Sequence, residues 1–207
     1  SQTRGTPTAQ RLPRMKHIGI FGGSFNPIHC GHVALAEEIL RHTSLDEIWL
    51  MVSPHNPLKQ QNDLLDDQKR LALAEKALQG HPHINVSDYE MHMPRPSYTW
   101  NLLEALTADF PDHTFSLIIG GDNWDLFNRW YRADDIRRKY TIIVYPRPGS
   151  TMVPADDDHA CCHLTVVNAP LLDVSSTAIR ARIQRGESII GMVPDSIIAD
   201  VERFYHQ

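Results

Sequence analysis

The chain has 207 residues, of which 42% are hydrophobic and 22% are charged, and these proportions exclude collagen-like, disordered and coiled-coil classes. Its 20 Lys and Arg against 25 Asp and Glu give a net charge of −5, so we expect no nucleic-acid partner and only a local phosphate site. Because no apolar run reaches the roughly 20 residues that span a bilayer, the sequence also predicts no membrane contact.

Short β-rich runs alternate along the chain with segments whose apolar residues repeat at helical spacing. In chain order the pattern predicts a strand at 16–21, a helix at 33–40, a strand at 47–53, a helix at 66–79, a strand at 84–87, a helix at 98–110, a strand at 115–119, a helix at 134–139, a strand at 141–145, a loop at 146–163, a strand at 164–167 and helices at 176–185 and 194–206. Such alternation is typical of an α/β protein with a doubly wound parallel sheet, here with a helical C-terminal end. We expect ligands to bind beyond the carboxyl ends of the strands.

The cysteines and the N-terminal segment bear on location and domain organisation. Cys30, Cys161 and Cys162 are too few for a disulfide framework, which favours a reducing compartment and predicts a cytoplasmic protein. Residues 1–14 are polar and are predicted to be a disordered extension, either native or a remnant of expression. Residues 15–207 are predicted to form a single domain.

The turn after the first predicted strand has the composition of a phosphate site, reading GGSFNPIHCGH over residues 22–32. Its two leading glycines let backbone N–H groups approach an anion, and the following helix N-terminus adds partial positive charge. His29 and His32 are three residues apart and are predicted to offer two imidazole donors on one side. A tight turn followed by two structural histidines is the alternative interpretation. Zinc would need a further ligand that no spacing indicates, and the P-loop and G-x-G-x-x-G patterns are absent.

A second hydroxyl-rich segment, DVSSTAIR, covers residues 173–180. Ser175, Ser176 and Thr177 stand at a predicted helix start with free N–H groups, and Arg180 follows one turn later, where it can reach an oxyanion. The alternative interpretation is a helix cap with a surface arginine.

Together these two segments resemble the H-x-G-H and S-S-T-x-I-R motifs of the nucleotidyltransferase superfamily, which transfers adenylyl or cytidylyl groups. The resemblance implies that His29 and His32 contact the triphosphate and stabilise in-line attack on the α-phosphate, with Arg180 as a third catalytic residue. It implies no side-chain nucleophile. The ATP-binding residues that it implies are Gly22, Gly23, Ser24, Phe25, His29, His32, Gly121, Asp122, Ser176, Thr177 and Arg180.

Three elements in the middle of the chain, PSYT at 96–99, GGD at 120–122 and WY at 130–131, resemble those of bacterial nicotinate mononucleotide adenylyltransferases. The resemblance then covers roughly residues 15–207. It implies that Trp130 stacks on the pyridine ring, while Thr99 and the backbone of Tyr131 hold the ring carboxylate. An aromatic face and neutral donors suit such a ligand. Plain packing aromatics and a helix cap at Thr99 are the alternative.

Two further positions follow from the same resemblance. Asp122 follows the fourth predicted strand and is expected to accept from the ribose hydroxyls, although it could instead cap a short helix at 123–127. His55 and Lys59 follow the second strand in a loop that departs from the family pattern. The implied nicotinate mononucleotide site consists of Ser24, Phe25, His55, Lys59, Thr99, Trp130 and Tyr131.

The implied reaction converts ATP and nicotinate mononucleotide to deamido-NAD and pyrophosphate, a step of NAD biosynthesis. Mg²⁺ is expected to arrive with ATP, no protein metal site is expected, and the DDDHACCH segment at 156–163 is interpreted as a solvated loop. The sequence is compatible with a homo-oligomer and does not define the oligomeric state. The alternatives are a nicotinamide mononucleotide adenylyltransferase and a catalytically silent nucleotide sensor. The PSYT and WY elements argue against pantetheine-phosphate adenylyltransferases and cytidylyltransferases.

Overall fold

The computed structural model describes residues 14–147, 163–169 and 172–206. The predicted N-terminal extension therefore lies outside the described residues except for Arg14, as do most of the predicted 146–163 loop, Cys161 and Cys162.

Six parallel strands form one sheet with the order β3-β2-β1-β4-β5-β6. The strands are β1 (Lys16–Gly23), β2 (Glu47–Val52), β3 (Ile84–Ser87), β4 (His113–Gly120), β5 (Thr141–Tyr145) and β6 (Leu164–Val166). The chain runs outward from β1 in one direction and then returns to add β4 on its other side. This arrangement confirms the predicted doubly wound α/β sheet, and its topological switch point lies between β1 and β4.

Seven α-helices and three 3₁₀ turns connect the strands or follow them within the described residues. The helices are α1 (Cys30–His42), α2 (Asp67–Ala77), α3 (Thr99–Asp109), α4 (Gly121–Asp125), α5 (Ala133–Lys139), α6 (Ser176–Gln184) and α7 (Ile198–Tyr205), and the 3₁₀ turns are Tyr89–His92, Phe127–Arg129 and Asp195–Ile197. The start predicted for the first helix was wrong by three residues, because His29 caps α1 and Cys30 is its first residue. The last predicted helix opens as a 3₁₀ turn before α7.

Helices cover both faces of the sheet. One apolar layer contains Ile39 of α1, Leu73 of α2, Ile179 of α6 and Val201 of α7. The other layer contains Leu103 of α3, Trp124 of α4 and Ile136 of α5. Burying one such side chain stabilises the fold by about 1.5–3 kcal/mol. The two apolar layers therefore pack against the sheet from both sides, and the switch point lies at the end of strands that are covered on both faces.

Neighbouring residues of β1 show how the strand serves both layers. Ile20 belongs to the layer of α3, α4 and α5, whereas Phe21 belongs to the layer of α1, α2, α6 and α7. Successive strand residues point to opposite faces, so a central strand reads as a continuous apolar run. That run stops at Gly22 and Gly23, which are the last two residues of the strand.

Candidate active site

A cavity of about 230 Å³ lies beyond the carboxyl ends of β1, β4 and β5. It occupies the place where doubly wound sheets bind ligands. The structure brings together around this cavity eight residues that were predicted to bind ATP: Gly22, Gly23, Ser24, Phe25, His29, His32, Asp122 and Ser176.

The turn between β1 and α1 has a left-handed residue at its centre. Phe25 has φ of 47°, a conformation that a bulky non-glycine residue adopts only when its surroundings enforce it. Its ring is buried and packs edge-on against Phe21 at 5.7 Å and against His32 at 4.8 Å between ring centroids. Packing of Phe25 therefore holds the backbone bend that follows Gly23.

His29 and His32 cap the N-terminus of α1 reciprocally. The N–H of His32 donates to Nδ1 of His29 at 3.3 Å, and the N–H of His29 donates to Nδ1 of His32 at 3.1 Å. The two rings stack, with centroids 3.6 Å apart and planes 22° apart. This is a capping box built from two imidazoles, with a ring nitrogen in the place of the usual hydroxyl or carboxylate.

The capping bonds determine where each imidazole carries its proton. Because Nδ1 of both His29 and His32 accepts a backbone N–H, neither Nδ1 can itself be protonated. The neutral ring then carries its proton on Nε2. Each ring thus has one N–H donor, on the nitrogen that capping leaves unused.

The electrostatics of the cavity keep both rings neutral at pH 7. Burial, and secondarily the charge of Arg147, lower the pKa of His29 to about 4. Burial also lowers the pKa of His32 well below its usual value, with further contributions from His29 and Arg147. The site therefore offers neutral imidazole donors to an anion before any ligand binds.

Arg147 is a site residue that the sequence reasoning missed. It follows β5 and lines the cavity, with its Nε 3.8 Å from Oδ1 of Asp122. A Cβ atom at Gly120 would lie 2.6 Å from Cγ of Arg147 and 2.7 Å from Oδ1 of Asp122, so this pair needs a glycine beside it. The signal that could have found Arg147 is its position just after β5, the strand next to β4, at the edge of the sheet where ligands bind.

The second motif meets the first at the turn. Ser175 caps α6 by accepting the N–H of Ala178 at 3.1 Å, and the hydroxyl of Ser176 donates to the carbonyl of Pro27 at 2.8 Å. The helix cap of the alternative interpretation is therefore present in this segment. The hydrogen bond of Ser176 connects α6 to the backbone of the turn that leads to His29.

Thr177 and Arg180 lie on a neighbouring groove, which is also lined by residues 62–65 and by α7. Arg180 donates through Nη1 to the carbonyl of Asn26 at 2.7 Å and through Nη2 to Asp63 at 3.2 Å. It thus contacts the backbone of the turn without lining the histidine cavity. Contact of Thr177 and Arg180 with ATP stays a prediction.

The segments predicted to hold the pyridine nucleotide meet each other beside α3. The rings of Tyr98 and Tyr131 lie 5.0 Å apart, which brings Thr99 and Trp130 into the same neighbourhood. Trp130 is half-buried and packs on Phe127 at 5.1 Å. The alternative role of Thr99 as a helix cap was wrong, because Tyr98 is the N-cap of α3.

The remaining predicted site residues do not line the histidine cavity, or have a different local role from the one considered. Gly121 is buried at the start of α4, and the alternative cap role of Asp122 was wrong because Gly120 is the N-cap. His55 and Lys59 are exposed on the loop after β2 and do not line the histidine cavity. Their predicted contacts with the substrate remain untested by this geometry.

Two searches of the described residues bear on other functions. No group of three or more His, Cys, Asp or Glu side chains within residues 14–147, 163–169 and 172–206 could hold a metal ion. The metal-capable segment at 156–163 lies outside those ranges except for His163. In the same part of the chain, no helix is long and apolar enough to cross a membrane.

Comparison with known proteins gives concordant results from sequence and structure. Residues 20–182 match the family described as cytidylyltransferase-like. The chain is 46% identical to a probable nicotinate-nucleotide adenylyltransferase of Bacteroides fragilis, over 83% of this chain and 84% of that protein. It is 37% identical to the protein of the same name from Flavobacterium psychrophilum, over 91% of this chain and 98% of that protein.

The fold is also similar to that of a solved structure. The nicotinic acid mononucleotide adenylyltransferase of Plasmodium falciparum, complexed with NaAD, superposes with a TM-score of 0.74 at 21% identity, covering 91% of this chain and 98% of that one. At this identity the likeness concerns the fold alone.

Proposed function

The chain belongs to the cytidylyltransferase-like family, and with that membership as premise we propose that it is a nicotinate-nucleotide adenylyltransferase. It joins ATP and nicotinate mononucleotide to give deamido-NAD and pyrophosphate, a step in the biosynthesis of NAD. Relatives of this name match the chain over most of its length. The family predicted from the two sequence motifs is confirmed.

The observation that carries the proposal is the pair of neutral imidazoles at the switch-point cavity. Reciprocal capping leaves His29 and His32 with Nε2–H donors, and the glycine turn beside them offers backbone N–H groups. Donors of both kinds suit a polyphosphate, and they stand at a helix N-terminus, where the helix dipole favours negative charge. The cavity is therefore organised for phosphate before a ligand binds.

The chemistry needs positioning and charge stabilisation more than a reactive side chain. An oxygen of the nicotinate mononucleotide phosphate attacks the α-phosphorus of ATP, and the bond from that phosphorus to the bridging oxygen breaks as pyrophosphate leaves. His29, His32 and the turn N–H groups stabilise charge on the phosphate oxygens as it shifts toward the leaving group. Arg147 adds a cation at the same cavity.

The acceptor nucleotide is placed on the side of α3. Trp130 offers an aromatic face to the pyridine ring, and donors from Thr99 and from the backbone of Tyr131 hold its carboxylate. This assignment is supported by the meeting of the Tyr98 and Tyr131 rings, which join the two segments. His55 and Lys59 then approach the acceptor phosphate from the loop after β2.

Mg²⁺ is assigned to ATP rather than to a resident protein site. Asp122 is the one carboxylate among the described residues that line the cavity, too few for an all-protein cage. Magnesium in such sites keeps several waters and binds mainly through substrate phosphates, where it neutralises charge. The residues present fit that arrangement, with Asp122 available to a metal-bound water or to the ribose.

We propose that the reaction takes place in the cytoplasm, because the low cysteine content favours a reducing compartment. The chain has three cysteines, and Cys30 is a free thiol.

The test is pyrophosphate release from Mg-ATP with nicotinate mononucleotide, nicotinamide mononucleotide and 4′-phosphopantetheine supplied separately. We expect kcat/KM to be highest with the nicotinate compound. A preference for the amide would retain the chemistry and overturn the carboxylate assignment to Thr99 and Tyr131. ATP binding without release of pyrophosphate from ATP in the presence of any of the three acceptors would favour a nucleotide sensor and overturn the proposal.

A further inference from the structure

Arg70 of α2 is fully buried and donates to three backbone carbonyls. Its Nη1 donates to the carbonyls of Ser24 at 2.7 Å and Ser53 at 2.8 Å, and its Nε donates to that of Leu65 at 2.8 Å. Its Nη2 pairs with the carboxylate of Asp67. The guanidinium therefore joins the turn after β1 to the end of β2 and to the start of α2.

The bond to Ser24 orients a peptide of the phosphate turn. In a planar trans peptide the carbonyl oxygen and the following N–H point in opposite directions. Because the Ser24 carbonyl faces Arg70, the N–H of Phe25 faces the opposite side of the turn. Ser24 and Phe25 line the histidine cavity, whereas Arg70 does not. The buried cation thus turns a backbone donor away from itself, toward the ligand side.

Asp67 extends the same network to the acceptor side. Besides Arg70, this carboxylate accepts from the N–H of His55 at 3.1 Å and from Nη2 of Arg95 at 3.3 Å. His55 stands on the loop after β2, and Arg95 on the segment that leads into α3. The ion pair between the buried Arg70 and the partly buried Asp67 therefore connects the phosphate turn with both loops that flank the proposed acceptor site.

Burying a cation at this position is energetically unfavourable unless its hydrogen bonds compensate for it. Removing a guanidinium from water costs free energy that its bonds must offset, and an apolar side chain of similar size often packs at least as well. The four acceptors surrounding Arg70 match the planar fork of a guanidinium, which a single ammonium cannot imitate. The arginine can therefore fix the geometry of the turn through its hydrogen bonds, whereas a hydrophobic residue could only fill the space.

We propose that Arg70 is a positioning residue for adenylyl transfer: it acts through the Ser24 carbonyl to aim the phosphate turn, and through Asp67 to keep that turn in register with the acceptor loops. This inference rests on the proposed function. Arg70 itself is fully buried and does not line the histidine cavity, so it acts through these two groups.

The experiment compares wild type, Arg70→Met, Arg70→Lys and a control, Arg137→Met, in pyrophosphate release at saturating ATP and nicotinate mononucleotide. Arg137 is also a buried arginine, but it hydrogen-bonds to Asp134 and Asn128 rather than to the turn. Rates are measured below the unfolding transition of each variant, with the folded fraction determined by circular dichroism. Stability loss alone then cannot lower kcat.

We expect both Arg70 variants to lose kcat by about tenfold or more, since small displacements of positioned groups have effects of that size. Lysine should fail to rescue activity although it keeps the charge. Arg137→Met should lower the melting temperature and leave kcat within about twofold of wild type, as expected for a change that affects stability alone.

Several outcomes would overturn the inference. If Arg70→Met or Arg70→Lys is folded and has wild-type kcat, the turn adopts its active geometry without Arg70. An equal kcat loss in Arg137→Met would show a general effect of core disruption, and failure of both Arg70 variants to fold would assign Arg70 to stability. An inactive wild type would instead refute the proposed function, which separates the two failures.

Discussion

Gly31 and His29 are packed so closely that a side chain at Gly31 would collide with the imidazole. A Cβ atom at Gly31 would lie 2.8 Å from Cε1 of His29 and 2.9 Å from its Nδ1. Gly31 is an ordinary helical residue without a positive φ, so backbone freedom does not explain the glycine. The glycine between the two histidines makes room for the ring that caps α1.

Gly31→Ala is therefore expected to displace the His29 ring and lower kcat/KM by about 10- to 100-fold. Because alanine favours a helix over glycine by about 1 kcal/mol, that gain offsets part of the steric cost, and global stability should change little. Steady-state kinetics and urea unfolding of the same preparations measure the two effects. Wild-type kinetics in Gly31→Ala would contradict a role for the His29 ring position.

His29→Asn separates the capping role of His29 from its catalytic role. Asparagine is a good N-cap and can accept the N–H of His32, but it lacks the imidazole Nε2–H. We expect unfolding free energy within about 1 kcal/mol of wild type and a kcat at least about 100-fold lower. The control is His29→Ala, which loses cap and donor together and should be less stable. Full activity in His29→Asn would reject the phosphate role of the imidazole.

The lowered pKa of His29 makes stability depend on pH. Its folded pKa of about 4 lies below the ordinary value of 6.5, so between these values the unfolded chain binds more protons than the folded one. The stabilisation is present above about pH 6.5 and is lost as the pH falls toward about 4. The pKa of His32 is lowered in the same direction.

Urea unfolding from about pH 7 to about pH 4.5 tests this dependence. Stability of the wild type should fall across this range, and His29→Asn, which has lost one titrating ring, should show a shallower fall. Parallel curves for the two proteins would mean that other groups carry the dependence.

Arg147→Met should affect both the histidines and ATP. Because the charge of Arg147 lowers the pKa of His29 and of His32, removing it should raise both pKa values, although burial remains the larger cause. NMR titration of the imidazole protons measures this change. The KM for ATP should rise by about tenfold through loss of a charged contact to phosphate.

Arg185→Met is the matched control for Arg147. It removes the same charge from an exposed position at the C-terminal end of α6, away from the cavity. Equal effects of the two substitutions on the KM for ATP would attribute the change to net charge and contradict a local role for Arg147.

Trp130→Ala should weaken binding of nicotinate mononucleotide specifically. Loss of aromatic stacking should raise its KM by about tenfold while the KM for ATP changes by less than about twofold. Trp49→Ala removes another half-buried tryptophan, which packs on Phe110 and Phe115, and should lower stability without this selectivity. A similar rise in the KM for both substrates would show that Trp130 has a structural role and does not bind nicotinate mononucleotide specifically.

The outcome for α1 shows where local sequence reasoning succeeds and where it stops. The turn at 22–32 was recognised as a phosphate site because glycines, histidines and a following helix are adjacent in the chain. The helix start was misplaced because no Ser, Thr, Asp or Asn marks it. The cap consists of two imidazoles whose reciprocal bonds appear only once the helix has formed.

By itself the sequence determined the alternation of strands and helices, the class of the sheet, the switch-point site and the family, because these depend on periodicity and on motifs of neighbouring residues. The tertiary structure alone decided which charged side chains reach that site. Arg147 joins the cavity, Arg180 lies on the adjacent groove, and Arg70 is buried beneath the turn. A helical arginine normally remains in water, and only carbonyls brought together from distant segments can offset its burial.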